Sequence, residues 1–170
     1  MNQRSNIIAF TTVLVLAVLE VGFFNSLAVG QYMIHPVLLY VILNRRTESL
    51  AARVALGAFG GMLLDMFAPT PYGQWLVGLS LGVLVSELIF TQWLSHRFWI
   101  APMALTILGW LSIRLMGIIL SANTRGLADW FNREGLAFWS RDLAWTMLGV
   151  IIVTAIQQLS HGRRYRYAPI

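Results

Sequence analysis

The sequence predicts an all-α, polytopic membrane protein, a six-helix transmembrane bundle folded as one domain over residues 1–170. Three observations lead there. Hydrophobic residues make up 58% of the chain and charged residues only 11%, against about 25% charged in an average soluble domain. There are too few polar side chains to cover a water-facing surface. The apolar residues also fall into runs near the roughly 20 residues that cross a bilayer as a helix. Finally, all 12 basic residues are arginine, and they gather at the ends of those runs.

Taken in order, the first run covers 7–29 and holds Glu20 and Asn25. It is longer than the usual apolar core of a signal peptide and contains an acid, so it reads as a retained helix. The second, 31–43, is short, contains Pro36 and stops at Asn44-Arg45-Arg46. It either begins earlier with a kink at Pro36 or is partly re-entrant. The third, 50–68, closes on Pro69-Thr70-Pro71; the fourth covers 72–90, and the fifth, 98–120, follows a polar break. The last run, 143–159, leads into a tail with Arg163, Arg164 and Arg166.

Between the last two runs lies 123–141. Leu127, Trp130, Phe131 and Glu134 fall at helical spacing there, followed by Phe138 and Trp139. This predicts an amphipathic helix on the outer surface, with the Trp130 and Trp139 indoles and the Phe131 ring at headgroup level. It would serve as an aromatic anchor or as a platform for an extracytoplasmic partner.

Orientation follows from the arginines. With six spans and both termini cytoplasmic, Arg4, Arg45, Arg46, Arg53, Arg97, Arg163, Arg164 and Arg166 lie inside. Only Arg125, Arg133 and Arg141 lie outside, balanced by Asp129, Glu134 and Asp142. The positive-inside rule therefore predicts a multi-pass inner-membrane protein with both termini cytoplasmic. The net charge of +5 reports topology and gives no reason to expect nucleic acid. Arg97 and the Arg163–Arg166 cluster would meet membrane lipids on the cytoplasmic side. The chain has no cysteine, which excludes disulfides and thiolate chemistry.

Charges inside spans are expensive and mark places to look. Glu20, Asp65 and Arg114 reach a similar depth in the outer half, counting about 1.5 Å per residue along their helices. The expected arrangement pairs Arg114 with Asp65 or Glu20. Glu87 reads as an interfacial acid near His96 or Arg97, and Arg53 as a residue that snorkels. Gly57-x-x-x-Gly61 and Gly78-x-x-x-Gly82 are small-residue patterns that allow close backbone approach, predicting tight packing of the third helix on the fourth. The three histidines are scattered, without a second ligand at i+3 or i+4. No nucleotide loop, nucleophile elbow or zinc-protease motif occurs, so the reading is non-enzymatic, with no metal and no cofactor.

One ordered stretch resembles a known family. His35-Pro36-Val37-Leu38-Leu39-Tyr40-Val41, a basic turn, Gly57-Ala58-Phe59-Gly60-Gly61-Met62-Leu63-Leu64-Asp65-Met66-Phe67 and then Pro71-Tyr72-Gly73 are similar to the signature of MreD, the bacterial rod shape-determining membrane protein. The signature positions are Pro36, Gly57, Gly61, Asp65, Pro71 and Gly73. The turn after Asp65 departs from the family, reading Phe-Ala-Pro-Thr-Pro where relatives often carry Ser and Gly. The resemblance implies a scaffold subunit of the cell-elongation, peptidoglycan-synthesising machinery. It implies an MreC-like partner, the RodA transglycosylase with its penicillin-binding protein, and the filament MreB with RodZ. It also implies a fold like the substrate-binding subunits of energy-coupling-factor vitamin transporters. That fold makes a small-molecule binding subunit of a transporter the rival expectation, its pocket lined by Glu20, Asn25, Asp65, Gln74 and Arg114.

Overall fold

The structure is a computed structural model, and it describes residues 3–24, 35–43, 49–67, 73–94, 100–121, 131 and 133–165. Six α-helices account for nearly all of them. Helix α1 (Gln3–Leu19) continues as a π-helical turn, Glu20–Phe24. Helix α2 is Pro36–Leu43, α3 is Leu50–Phe67, and α4 is Gln74–Ile89 followed by a π-helical turn, Phe90–Leu94. Helix α5 is Ile100–Ser121, and α6 is Arg133–Tyr165.

Four stretches are long and apolar enough to cross a membrane: Leu50–Phe67, Gln74–Gln92, Ala101–Ser121 and Glu134–Ile156. The shorter Asn6–Gly22 is also apolar. Within the four long stretches only 22–39% of residues are buried against the rest of the protein. What remains exposed is apolar, including Ile7, Ile8 and Val18 on α1, Met66 and Phe67 on α3, and Ile151, Ile152 and Ile156 on α6. Such faces suit a hydrocarbon surround and not water.

One element departs from the sequence expectation and one is described only in part. The eight-residue α2 rises only about 12 Å, well short of the roughly 30 Å hydrocarbon layer. The part of the expected 31–43 span before His35 lies outside the described residues. The separate surface helix expected over 123–141 is corrected from Arg133 onward, because 133–141 is the opening of the 33-residue α6. Residues 122–130 of that segment, Trp130 included, lie outside the described residues. Helix α6 is about 50 Å long, so its ends extend beyond its apolar middle. Nothing in 133–159 breaks a helix, since no proline occurs and Gly135 and Gly149 are isolated.

The helices alternate in direction, which the contacts between them establish. Val13 of α1 and Val37 of α2 both meet Gly60 of α3. Gly57 faces Leu79 and Val83 of α4, while Gly61, one turn later, faces Trp75 and Leu76. Helices α3 and α4 are thus antiparallel, and the Gly57/Gly61 pattern packs them as expected. The second pattern serves a different neighbour. Gly78 lies against Ile113 and Gly82 against Gly109, both on α5. The expectation that both glycine pairs join α3 to α4 is corrected: α4 sits between α3 and α5, closing on one through Gly57 and Gly61 and on the other through its own glycines. All four glycines are buried.

Helix α2 occupies the middle of the bundle. Val37, Leu38, Leu39, Val41 and Ile42 are buried, and Leu38 and Ile42 reach Gly109 of α5. Val37, Leu38, Val41 and Ile42 join Val13, Leu56, Leu79, Leu105 and Ile113 in one apolar core.

The closest backbone approach sits at Gly61, where an added Cβ would lie 2.5 Å from Leu76 Cα and 2.6 Å from Leu76 N. Backbone cannot yield as a flexible side chain can. Gly61→Val is expected to destabilise the bundle by about 1–3 kcal/mol or more, the usual effect of overpacking. Gly22→Ala, where nothing lies within 4 Å, should leave stability unchanged or slightly raised. Reversible unfolding in mild detergent measures both; equal midpoints for the two variants would contradict this packing.

Candidate functional site

Five ionisable residues, Glu20, His35, Asp65, Arg114 and Asp142, converge toward the end of the bundle where α1, α3 and α5 finish and α2, α4 and α6 begin. Two of them act on helix starts. The opening N–H groups of a helix have no partner within it, and burial makes each unmet donor expensive. Helix α4 begins after Gly73, which adopts φ +90° and has no side chain to cap with. Asp65 of α3 supplies the missing acceptor. Trp75 N donates to its Oδ1 at 3.0 Å and Leu76 N to its Oδ2 at 2.9 Å. Helix α2 begins at Pro36, whose ring removes one donor. Val37 N donates to Glu20 Oε2 of α1 at 3.1 Å.

Glu20 also begins a polar chain that crosses the bundle. His35 Nδ1 lies 2.9 Å from Glu20 Oε1, and His35 Nε2 lies 3.0 Å from Asp142 Oδ1 on α6. Asp142 Oδ2 accepts from Trp110 Nε1 at 2.6 Å and from Arg114 NH2, both on α5. Four elements are joined by these contacts: α1, the start of α2, α5 and α6. His35 is 2% exposed and Asp142 1%, so neither is stabilised by water. Ionised carboxylates only accept hydrogen bonds. A histidine with a carboxylate oxygen on each ring nitrogen therefore donates from both, as imidazolium. Two carboxylates are then matched by a guanidinium and an imidazolium, and the buried quartet is neutral.

Aromatic rings enclose the cations. Arg114 lies 5.6 Å from the Trp110 ring centroid and 5.2 Å from that of Phe138, within cation–π range. Trp139 packs edge-on to Trp110 at 6.3 Å and to Phe131 at 5.7 Å. Trp75 covers His35 with centroids 5.0 Å apart. Two buried donors in this region have no hydrogen-bond partner among the described residues, Trp75 Nε1 and Arg114 Nε.

The geometry revises several sequence expectations. Arg114 pairs with neither Asp65 nor Glu20; its ion-pair partner among the described residues is Asp142. Asp65 has both oxygens on the start of α4, and Glu20 faces His35. Arg53 lies 2.7 Å from Glu87, so it is held by an acid of α4. Trp139 and Phe131 contact each other, but Trp139 also faces inward to Trp110 and so does more than anchor at an interface. Gly57, Gly61, Gly78 and Gly82 are covered by neighbouring helices, which leaves them as packing residues and not as a partner face. Pro36 and Gly73 each open a helix. Arg163 and Arg164 lie on the last turn of α6, while Arg97 and Arg166 lie outside the described residues.

Sequence reasoning missed His35 and Asp142. Histidine spacing speaks only to metal ligands, and Asp142 reads, with Asp129 and Glu134, as a charge balancing the outer arginines. One signal was present: Glu20 and Asp65 outnumber Arg114 among the intramembrane charges, so another arrangement had to neutralise the excess acid. Chemically, the cluster is committed to linking helices. The imidazole nitrogens and both Asp142 oxygens are engaged, and among the described residues no group of three or more His, Cys, Asp or Glu is placed to hold a metal. A groove of about 320 Å³ runs beside Ile7, Ile8, Thr11, Thr12 and Val15, toward the opposite end of α1.

The two carboxylates on α3 and α6 should respond differently to truncation. Asp142→Ala strands Arg114 as a buried cation, leaves His35 with Glu20 alone, and is expected to cost about 3–5 kcal/mol. Asp65→Ala removes a helix cap and should cost about 0.5–2 kcal/mol. Arg114→Ala added to Asp142→Ala should cost far less than the sum of the two single changes, whereas Arg114→Ala and Asp65→Ala should be nearly additive. Detergent unfolding of the single and double variants tests this, and coupling of Arg114 to Asp65 instead would refute the assignment. Comparison of the chain with protein-family models, with curated proteins and with solved structures finds no match.

Proposed function

We propose that the chain is a non-enzymatic scaffold subunit of the bacterial cell-elongation machinery, an MreD-like protein of the inner membrane that binds an MreC-like partner. The observation that carries this reading is how the signature residues are used. Pro36, Gly57, Gly61, Asp65 and Gly73 all serve helix starts or helix contacts in one connected region. A motif whose members serve architecture suits a protein whose task is to present a fixed intramembrane surface. The committed state of the ionisable cluster supports the same reading, since its carboxylates and imidazole are engaged in holding helices together.

In this proposal the chain makes six passages with both termini cytoplasmic, and its fold is of the kind seen in energy-coupling-factor substrate-binding subunits. The alternating helix directions support an even number of passages. Helix α2 would complete its passage through residues preceding His35. The partner's transmembrane helix would meet an exposed apolar face, such as that of α1 or α3, because the glycine faces are occupied. RodA, its penicillin-binding protein and MreB with RodZ complete the assembly. Arg97, Arg163, Arg164 and Arg166 would lie on the cytoplasmic side, each contributing about 1 kcal/mol of attraction to anionic lipid.

The rival reading, a vitamin-type binding subunit of a transporter, draws support from the two unpartnered buried donors near His35. Affinity purification of the tagged protein from native membranes in mild detergent separates the two. Mass spectrometry is expected to recover an MreC-like protein with a transglycosylase and a transpeptidase. Recovery of ATP-binding-cassette subunits in their place would overturn the scaffold reading.

A further inference from the structure

The buried quartet contains a second, unused pairing. Arg114 reaches Asp142 through NH2 alone, and the adjacent donor, Nε, is buried without a partner. NH2 and Nε together form the side-on fork that grips a carboxylate with two parallel hydrogen bonds, the stronger geometry for this ion pair. The side-on grip needs the Asp142 carboxylate turned toward Nε, whereas its Oδ1 is turned to His35 Nε2, so His35 and the free donor of Arg114 compete for the orientation of one carboxylate.

The proton on His35 decides the competition. With imidazolium the quartet is neutral, and α2 is tied at its first residues to α1 through Glu20 and to α6 through Asp142. Without that proton, one ring nitrogen becomes an acceptor facing a carboxylate, and a net negative charge remains among buried groups. Asp142 then gains by turning to the Arg114 fork, and Glu20 retains the Val37 N–H. We propose that His35 is a proton-operated latch: protonated, it fixes the start of α2 between α1 and α6; deprotonated, it hands Asp142 to Arg114 and loosens the start of α2 from α6.

The groups facing His35 from each packed element are accounted for. Glu20 approaches from α1 and Asp142 from α6, with Arg114 and Trp110 behind Asp142 on α5. Trp75 of α4 lies against the ring, and Asp65 of α3 is turned to the α4 backbone.

The absence of native cysteine makes the test direct. Leu39 is buried on α2, so a single Leu39→Cys in the otherwise unaltered chain reports whether that helix stays packed. The protein is reconstituted in vesicles, and maleimide labelling is followed from about pH 5 to about pH 10, a range that brackets buried histidines. Rates are corrected with a free-thiol standard. The expected result is labelling that accelerates about tenfold or more as pH rises. His35→Gln should remove the pH dependence, and Arg114→Lys, which lacks the fork, should weaken release at high pH. A flat corrected profile in the Leu39→Cys protein overturns the latch without recourse to any variant. A rise that persists unchanged in His35→Gln overturns it as well, since another group would then carry the effect.

Discussion

The placement of charge in a medium that cannot solvate it governs this structure. Glu20, His35, Asp142 and Arg114 lie within a bundle whose outward faces are apolar, and each would be costly alone. Their mutual arrangement makes burial tolerable, and it also dictates which helices are neighbours. Asp142 can reach both His35 and Arg114 only if α6 lies beside the start of α2 and the last turns of α5. Glu20 can reach His35 and Val37 only where α1 ends at the level where α2 starts. The polar chain thus fixes register across four elements, as apolar packing with lipid-like side chains would do only weakly.

A related device appears twice. Helices α2 and α4 both begin without a capping side chain of their own, one at Pro36 and the other after Gly73. In each case a carboxylate from the preceding ascending helix, Glu20 or Asp65, accepts the opening N–H groups. In water such donors would be hydrated; within a membrane protein they need an internal acceptor. Glycine then sets the spacing. Gly61 brings α3 against the first turn of α4, and this approach places Asp65, four residues on, over the same turn. Gly78 and Gly82 repeat the approach on the α5 side. The carboxylate cap and the small-residue stripe are two halves of one contact.

The outer surface of α1, α3 and α6 is left free of structural duty, available to lipid or to another transmembrane helix. The interior holds the ionisable groups, and α2, the shortest helix, is the element they retain.

Much of the architecture was legible in the chain itself. Composition and run length determined the helical membrane class, because 11% charged residues cannot solvate a surface. Gly57 and Gly61 announced the α3–α4 contact, since four-residue spacing of small side chains defines a face on a helix. Glu20, Asp65 and Arg114 were identifiable as costly groups from their position inside apolar runs. Their partners were not. Asp142 sits at the edge of a run beside Arg141, and hydropathy reads such an edge as loop; only the continuous α6 carries it inside. His35 stood alone because its partners lie 15 and 107 residues away, and no local spacing encodes a contact between elements. Sequence determines which groups cannot be left unpaired, through the energetics of burial. Tertiary structure decides with whom they pair, because that depends on how the helices are arranged in space.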